Sequence, residues 1–199
     1  MSKRLLPLEL TAKFYIQKVD TNDVSHDYSH LTQDELLKLE ELSNVSSEKF
    51  SRLIDAFLWM CHTGQSHVDT SGMSESQIHA IDDMIMLDGR RGKTKIQYNV
   101  VINQKALDLI TKYDGIENIP YIHLKVLNEE IKIAQKILGF KVNLSTRVAR
   151  RTFAQYWYKH TDIPDKFVSK MLGHTKADAS KNYTFVGMER RSLKKMIKH

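Results

Sequence analysis

The stretch from Phe50 to Gly64, FSRLIDAFLWMCHTG, constrains this chain more than any other. Phe50, Leu53, Ile54, Phe57, Leu58 and Cys61 recur at helical spacing, and Gly64 ends the run. Such a pattern defines a core helix, which the rest of the chain has to cover. With 199 residues, 41% hydrophobic content and 3 prolines, there is enough chain for one well-buried core, or for a core plus an extended arm. Cys61 is the single cysteine and reads as a small core residue, so a disulfide framework is excluded and a reducing compartment is expected.

The remaining patterns describe a helical majority around one small sheet. Residues 1 to about 30 show no sustained periodicity and read as an arm or linker. The domain proper begins at LTQDELLKLEEL, where Thr32 and Glu35 have capping-box spacing and Leu36, Leu39 and Leu42 share one face. From Ile78 to Ile102 the segments become short and β-prone, predicting two or three antiparallel strands, with the glycines of DGRRG punctuating a hairpin turn. Helical pattern returns at NQKALDLITKY, at HLKVLNEEIKIAQKILG, in an arginine-bearing stretch near residue 150, and after Pro164 in IPDKFVSKML. A final pair of segments surrounds ADASKNYTF and MERRSLKKMIKH. No internal repeat or low-complexity segment interrupts this order.

The net charge of +6 is unevenly distributed. Residues 141–199 hold 14 Lys and Arg against 4 Asp and Glu, while residues 1–140 hold 16 against 20. A basic C-terminal end suits a polyanion, with nucleic acid ahead of a membrane surface because no strongly apolar amphipathic face accompanies it. There is no run of about 18 apolar residues, and the first ten residues lack a signal-peptide core, so a soluble, intracellular protein is expected.

The basic end opens with STRVARRTFAQYW, in which Arg147, Arg150 and Arg151 fall within five positions. On a helix, Ala149, Thr152, Phe153 and Tyr156 lie on one side, with Trp157 continuing the apolar surface, and the arginines share the other. No metal-ligand spacing occurs, since HExxH and paired cysteines are lacking and the nine histidines are scattered. No glycine loop of the GxxxxGK[ST] or GxGxxG kind is present either. The remaining chemistry is that of SKMLGHTKADASKNYTF, where His174 follows a Leu-Gly turn and Tyr183 lies nine residues further on. A tyrosine can attack a phosphodiester with neither metal nor nucleotide, and arginine forks and histidine N–H donors suit the charge that builds on the phosphate oxygens.

Three ordered motifs, RVARRTFA from Arg147 to Ala154, LGH from Leu172 to His174, and Tyr183, resemble the catalytic signature of the tyrosine recombinases or integrases. The resemblance covers roughly residues 31–186 and is strongest toward integrases of Bacteroides-type mobile elements. It implies a mainly α domain with a small antiparallel β-sheet (α+β) over residues 31–186, preceded by the arm at 1–30. A helical tail at 187–199 would dock on a neighbouring protomer. It also implies a bacterial, cytoplasmic DNA strand transferase that needs no cofactor and acts on double-stranded DNA. The protein would be a monomer without DNA and a tetramer on paired sites. The family's upstream arm and core-binding domains do not appear in this chain, which on that reading is a piece of a longer enzyme.

Carried over residue by residue, the resemblance makes Tyr183 the nucleophile, Arg150 the second catalytic arginine and His174 the late histidine. Lys93, in KTK, stands for the hairpin lysine that protonates the leaving 5′ oxygen, with Lys95, Arg90 and Arg91 as nearby alternatives. Arg151, Thr175, Lys176, Lys181, Arg90 and Arg91 become candidate DNA contacts. Two positions depart from the pattern. Ser66, in TGQSHVD, stands where the family's first arginine is expected, and Arg147 stands where a histidine is expected. Arg147 lies one helical turn from Arg150 and would return a positive charge to the phosphate. The same departures support an alternative, a catalytically impaired DNA-binding accessory factor descended from a recombinase. A third reading is a topoisomerase-like enzyme that nicks and rejoins without exchanging strands.

Overall fold

A computed structural model describes residues 30–81, 84–92, 95–160 and 164–173. The expected arm, the two final segments and the tail lie outside the described residues. Helix α1 (Gln33–Val45) begins as its sequence predicts: Glu35 N–H donates to Thr32 Oγ1 at 3.2 Å, and Thr32 N–H donates to Glu35 Oε2 at 2.9 Å. Leu36 and Leu39 bury the inner face of α1, and Leu42 packs at its edge. The preceding Leu31 N–H donates to Thr152 Oγ1 at 2.9 Å, which ties the start of the domain to a helix far along the chain.

Helix α2 (Glu48–Thr63) is buried at every residue from Leu53 to Thr63 and is the axis of the fold. Its buried carboxylate is satisfied by neighbouring elements. Asp55, only 2% exposed, accepts from Ser43 Oγ and from Tyr113 Oη, both at 2.6 Å, and pairs with Lys112 Nζ at 2.7 Å. Burial, followed by the bonded Asp55 carboxylate, pushes the Tyr113 phenol well above its ordinary range, so it stays a donor. These bonds pin α3 (Gln104–Lys112) against α1 and α2.

Strands β1 (Ile78–Ile81), β2 (Met84–Arg90) and β3 (Gln97–Val101) form an antiparallel meander in that order. The register pairs Ile78 with Leu87, Met86 with Val101 and Gly89 with Tyr98. Here the structure corrects one expectation. Gly89 is not in the hairpin turn but inside β2, and the strands are joined beyond it, where Arg91 N–H donates to Ile96 O and Lys95 N–H to Arg91 O, both at 2.8 Å. The reason is steric: a Cβ at position 89 would sit inside the Tyr98 ring.

Helix α4 (Leu124–Leu138) ends at Gly139, and α5 (Thr146–His160) packs along α2. Phe153 and Trp157 enter the core at 1% and 6% exposure, their rings meeting edge to face with centroids 6.1 Å apart. Helix α6 (Asp165–Met171) starts after Pro164 and packs on β3. Among the described residues, no helix is long and apolar enough to cross a membrane, and no three His, Cys, Asp or Glu side chains gather to hold a metal ion.

The close approach of Tyr98 to Gly89 gives a stability prediction. Gly89→Ala forces the ring and its strand apart and is expected to cost about 1–3 kcal/mol. Chemical denaturation measures it, and a change under 0.5 kcal/mol would contradict the packing described.

Candidate functional site

The arginine helix does not present its three cations alike. Arg147 and Arg151 are exposed, whereas Arg150 is half-buried and turns toward the ends of two other helices. Its Nη1 donates to Gly64 O, which closes α2, and its Nη2 donates to Leu172 O at 3.0 Å, which closes α6. Carbonyls at helix ends have no intrahelical partner, and a planar guanidinium satisfies two of them in one geometry. One side chain thereby joins the TG, arginine and LG segments. Burial, and after it the nearby Arg91 charge, lowers the Arg150 pKa to about 10, partly offset by Asp69, so the group stays protonated at neutral pH.

Arg91 supplies the second guanidinium near this point, and its position departs from the sequence expectation of a hairpin contact facing DNA. The side chain runs inward, with the residue 6% exposed. Its Nη1 pairs with Asp69 Oδ2, its Nη2 donates to Met171 O at 3.2 Å, and its guanidinium lies 4.1 Å from the centroid of the Tyr98 ring. A buried cation needs these partners, because without them it would carry a large desolvation cost.

Ser66 has a role of its own in this arrangement. It caps the short helical turn His67–Thr70, donating from Oγ to Asp69 Oδ2 at 2.6 Å and from its N–H at 3.2 Å. Gly92 N–H donates to the other Asp69 oxygen at 2.9 Å. Burial alone would raise the Asp69 carboxyl, but the bonds from Gly92, Ser66 and Arg91 outweigh it and hold the group below its ordinary value. Gln65, fully buried, accepts from Trp59 Nε1 at 2.6 Å and donates to Tyr98 Oη at 2.8 Å. Burial raises the Tyr98 phenol, which therefore remains neutral.

Of the sequence candidates, the structure thus brings Arg150, Arg91 and Ser66 into one neighbourhood. Arg90, exposed at the end of β2, and Arg147 and Arg151 remain on the surface. Lys93, His174, Thr175, Lys176, Lys181 and Tyr183 lie outside the described residues. Sequence reasoning missed Gln65, Asp69 and Tyr98. Only Ser66 and Asp69, at capping-box spacing, left a readable local signal; nothing local links Gln65 to Tyr98.

No protein-family model matches the chain, and no curated protein matches its sequence. Solved structures do match. The lambda integrase catalytic core aligns at 22% identity over 76% of this chain and 95% of that one, with a TM-score of 0.54. A lambda integrase (75-356) dimer bound to a COC′ core site aligns at 20% identity over 78% of this chain and 60% of that one, with a TM-score of 0.56. XerH site-specific recombinase bound to difH substrate aligns at 16% identity over 75% of this chain and 48% of that one, also at 0.56. At these identities the likeness is one of fold. The chain has the tyrosine recombinase catalytic-domain fold, mainly helical with a small antiparallel sheet, and spans 60% and 48% of the two DNA-bound chains.

The Asp69–Arg91 pair can be tested through stability. Asp69→Asn leaves Arg91 buried without its counter-charge and is expected to destabilise the fold by about 3–5 kcal/mol at pH 7. Because the folded-state pKa of Asp69 is depressed, its contribution is complete above the ordinary value of 3.8 and is lost as pH falls through the folded value. The parent and the variant should therefore converge in acid denaturation, and a gap that persists or widens below that range would contradict the pairing.

Proposed function

We propose that this chain is the catalytic domain of a site-specific DNA recombinase that cuts and rejoins strands through a tyrosine, of the kind carried by Bacteroides-type mobile elements. The observation that carries the reading is Arg150, fixed on Gly64 O and Leu172 O within a tyrosine recombinase catalytic-domain fold. Among the described residues two of its five N–H donors bond the protein, and in this proposal the others serve a phosphate. No carboxylate bonds Arg150 among the described residues, so its charge is not neutralised by direct contact.

In the proposed reaction Tyr183 Oη gives its proton to a solvent water and attacks the scissile phosphorus. A bond forms from phosphorus to the tyrosine oxygen while the bond to the 5′ oxygen breaks, with Lys93 delivering the proton that makes the 5′-hydroxyl. The product is a 3′-phosphotyrosyl link, and attack by the 5′-hydroxyl of another strand reverses the step. Arg150 and His174 stabilise charge on the non-bridging oxygens. Arg147 and Arg151, exposed on α5, with Arg90 from the hairpin and Thr175, Lys176 and Lys181 after the LGH turn, contact DNA phosphates. Double-stranded DNA is the partner, and four protomers assemble on paired sites, with residues 187–199 docking on a neighbour. No metal or cofactor is required.

A nicked suicide substrate, from which the cleaved flank diffuses away, traps the intermediate. The parent should give a protein–DNA adduct, Tyr183→Phe none, and Arg150→Ala a rate lower by about 10²–10³-fold or more. Arg147→Ala should slow the adduct if Arg147 serves the phosphate, and an unchanged rate removes it from the site. Loss of one phosphate contact should also lower the salt slope of DNA binding by about one unit. A parent that binds DNA yet forms no adduct at high concentration and long times would favour the accessory-factor reading. Adduct without recombinant product would favour the topoisomerase-like one.

A further inference from the structure

Two consecutive carbonyls at the end of α6 are each held by a guanidinium, Met171 O by Arg91 at 3.2 Å and Leu172 O by Arg150 at 3.0 Å. Helix α6 has seven residues, too few to hold its own last turn firmly, and its terminal carbonyls lack intrahelical donors. The next residue, Gly173, has φ +61°, and a Cβ there would overlap the Arg91 side chain. Arg91 therefore both bonds this turn and fills the space beside it. His174 follows immediately in the chain.

We propose that Arg91 is a positioning residue: from the β2–β3 turn it fixes Met171, Leu172 and Gly173, the turn that comes immediately before His174 in the chain. The proposal rests on the recombinase reading for its catalytic consequence but not for its structural one. Arg91 is itself fixed from two sides, and one of these is fixed in turn. Asp69 neutralises it, the Tyr98 ring supports its face, and Gln65 holds the Tyr98 hydroxyl from the end of α2, where Trp59 holds Gln65. This chain of contacts gives the polar residues at Gln65 and Ser66 a shared purpose, since both lead to Arg91, one through Tyr98 and the other through Asp69. A cation so enclosed, with its charge already paired, acts through the backbone it holds rather than on DNA directly.

The test uses the whole chain and two variants. Arg91→Met removes both the charge and the fork; Arg91→Lys keeps a charge for Asp69 but cannot also reach Met171 O in the same geometry. Amide hydrogen exchange at Leu172 and Gly173, whose N–H groups donate to Val168 O at 3.0 Å and Lys170 O at 2.8 Å, reads the turn directly. Both variants should speed that exchange by about tenfold or more while α2 amides stay protected. Unchanged exchange in the folded Lys variant would overturn the proposal, whether or not the chain cleaves DNA.

The kinetic arm separates positioning from direct phosphate contact. On a suicide substrate, Arg91→Lys should slow adduct formation by about tenfold or more with DNA affinity within about twofold. His174→Ala should then cost less in that variant than in the parent, because both changes act on the same contribution. Fully multiplicative losses would overturn the proposal and assign Arg91 to the phosphate. If the parent itself forms no adduct, the recombinase reading fails while hydrogen exchange still decides the role of Arg91.

Discussion

The guanidinium of Arg150 donates to the last carbonyl-bearing residues beyond α2 and α6 from a position on α5, and the rest of the site is arranged around that convergence. Helix ends leave carbonyls that must find donors, and burying such ends without partners is costly. Placing an arginine between two of them resolves the problem and fixes the cation at the same time. The core enforces the geometry: Phe153, one turn along α5, lies against Gly64, where a Cβ would overlap its ring. Packing along α2 thus determines where the Arg150 guanidinium stands.

Charge is distributed around this centre in an unusual way for a chain that resembles the tyrosine recombinases. Ser66 replaces an expected arginine, and a second arginine, Arg91, arrives from the hairpin, but Asp69 neutralises it. Among the described residues no carboxylate bonds the half-buried Arg150, while Arg147 is exposed one turn earlier on α5. The desolvation that lowers the Arg150 pKa also strengthens its pull on an anion, because a charge with little water around it is poorly screened.

Much of the fold was legible because it depends on local chemistry. The Thr32–Glu35 capping box, the apolar spacing of α2 and the glycines closing α2 and α4 are all settled within a few residues. The hairpin turn was misplaced because the reason for Gly89 lies across the sheet, in the ring of Tyr98, and no local pattern reveals a cross-strand clash. The site shows the same division. Arg150 stands out by the resemblance of its motif, although the helical wheel groups it with the exposed arginines and its contacts to Gly64 and Leu172 leave no local signal. Arg91 looked like a surface cation because its partners Asp69, Tyr98 and Met171 are scattered along the chain. Buried polar networks are set by tertiary contact, and single-sequence reasoning reaches their members one at a time.

The central claim is that the tyrosine following the LGH turn becomes covalently joined to DNA in a site organised by Arg150. Mass spectrometry of a tryptic digest of the chain after reaction with a nicked duplex tests it most directly. The account predicts nucleotide on the peptide from Asn182 to Arg190, linked through Tyr183 and a 3′ phosphate. Nucleotide attached to a tyrosine elsewhere, such as Tyr156 on α5, would contradict it.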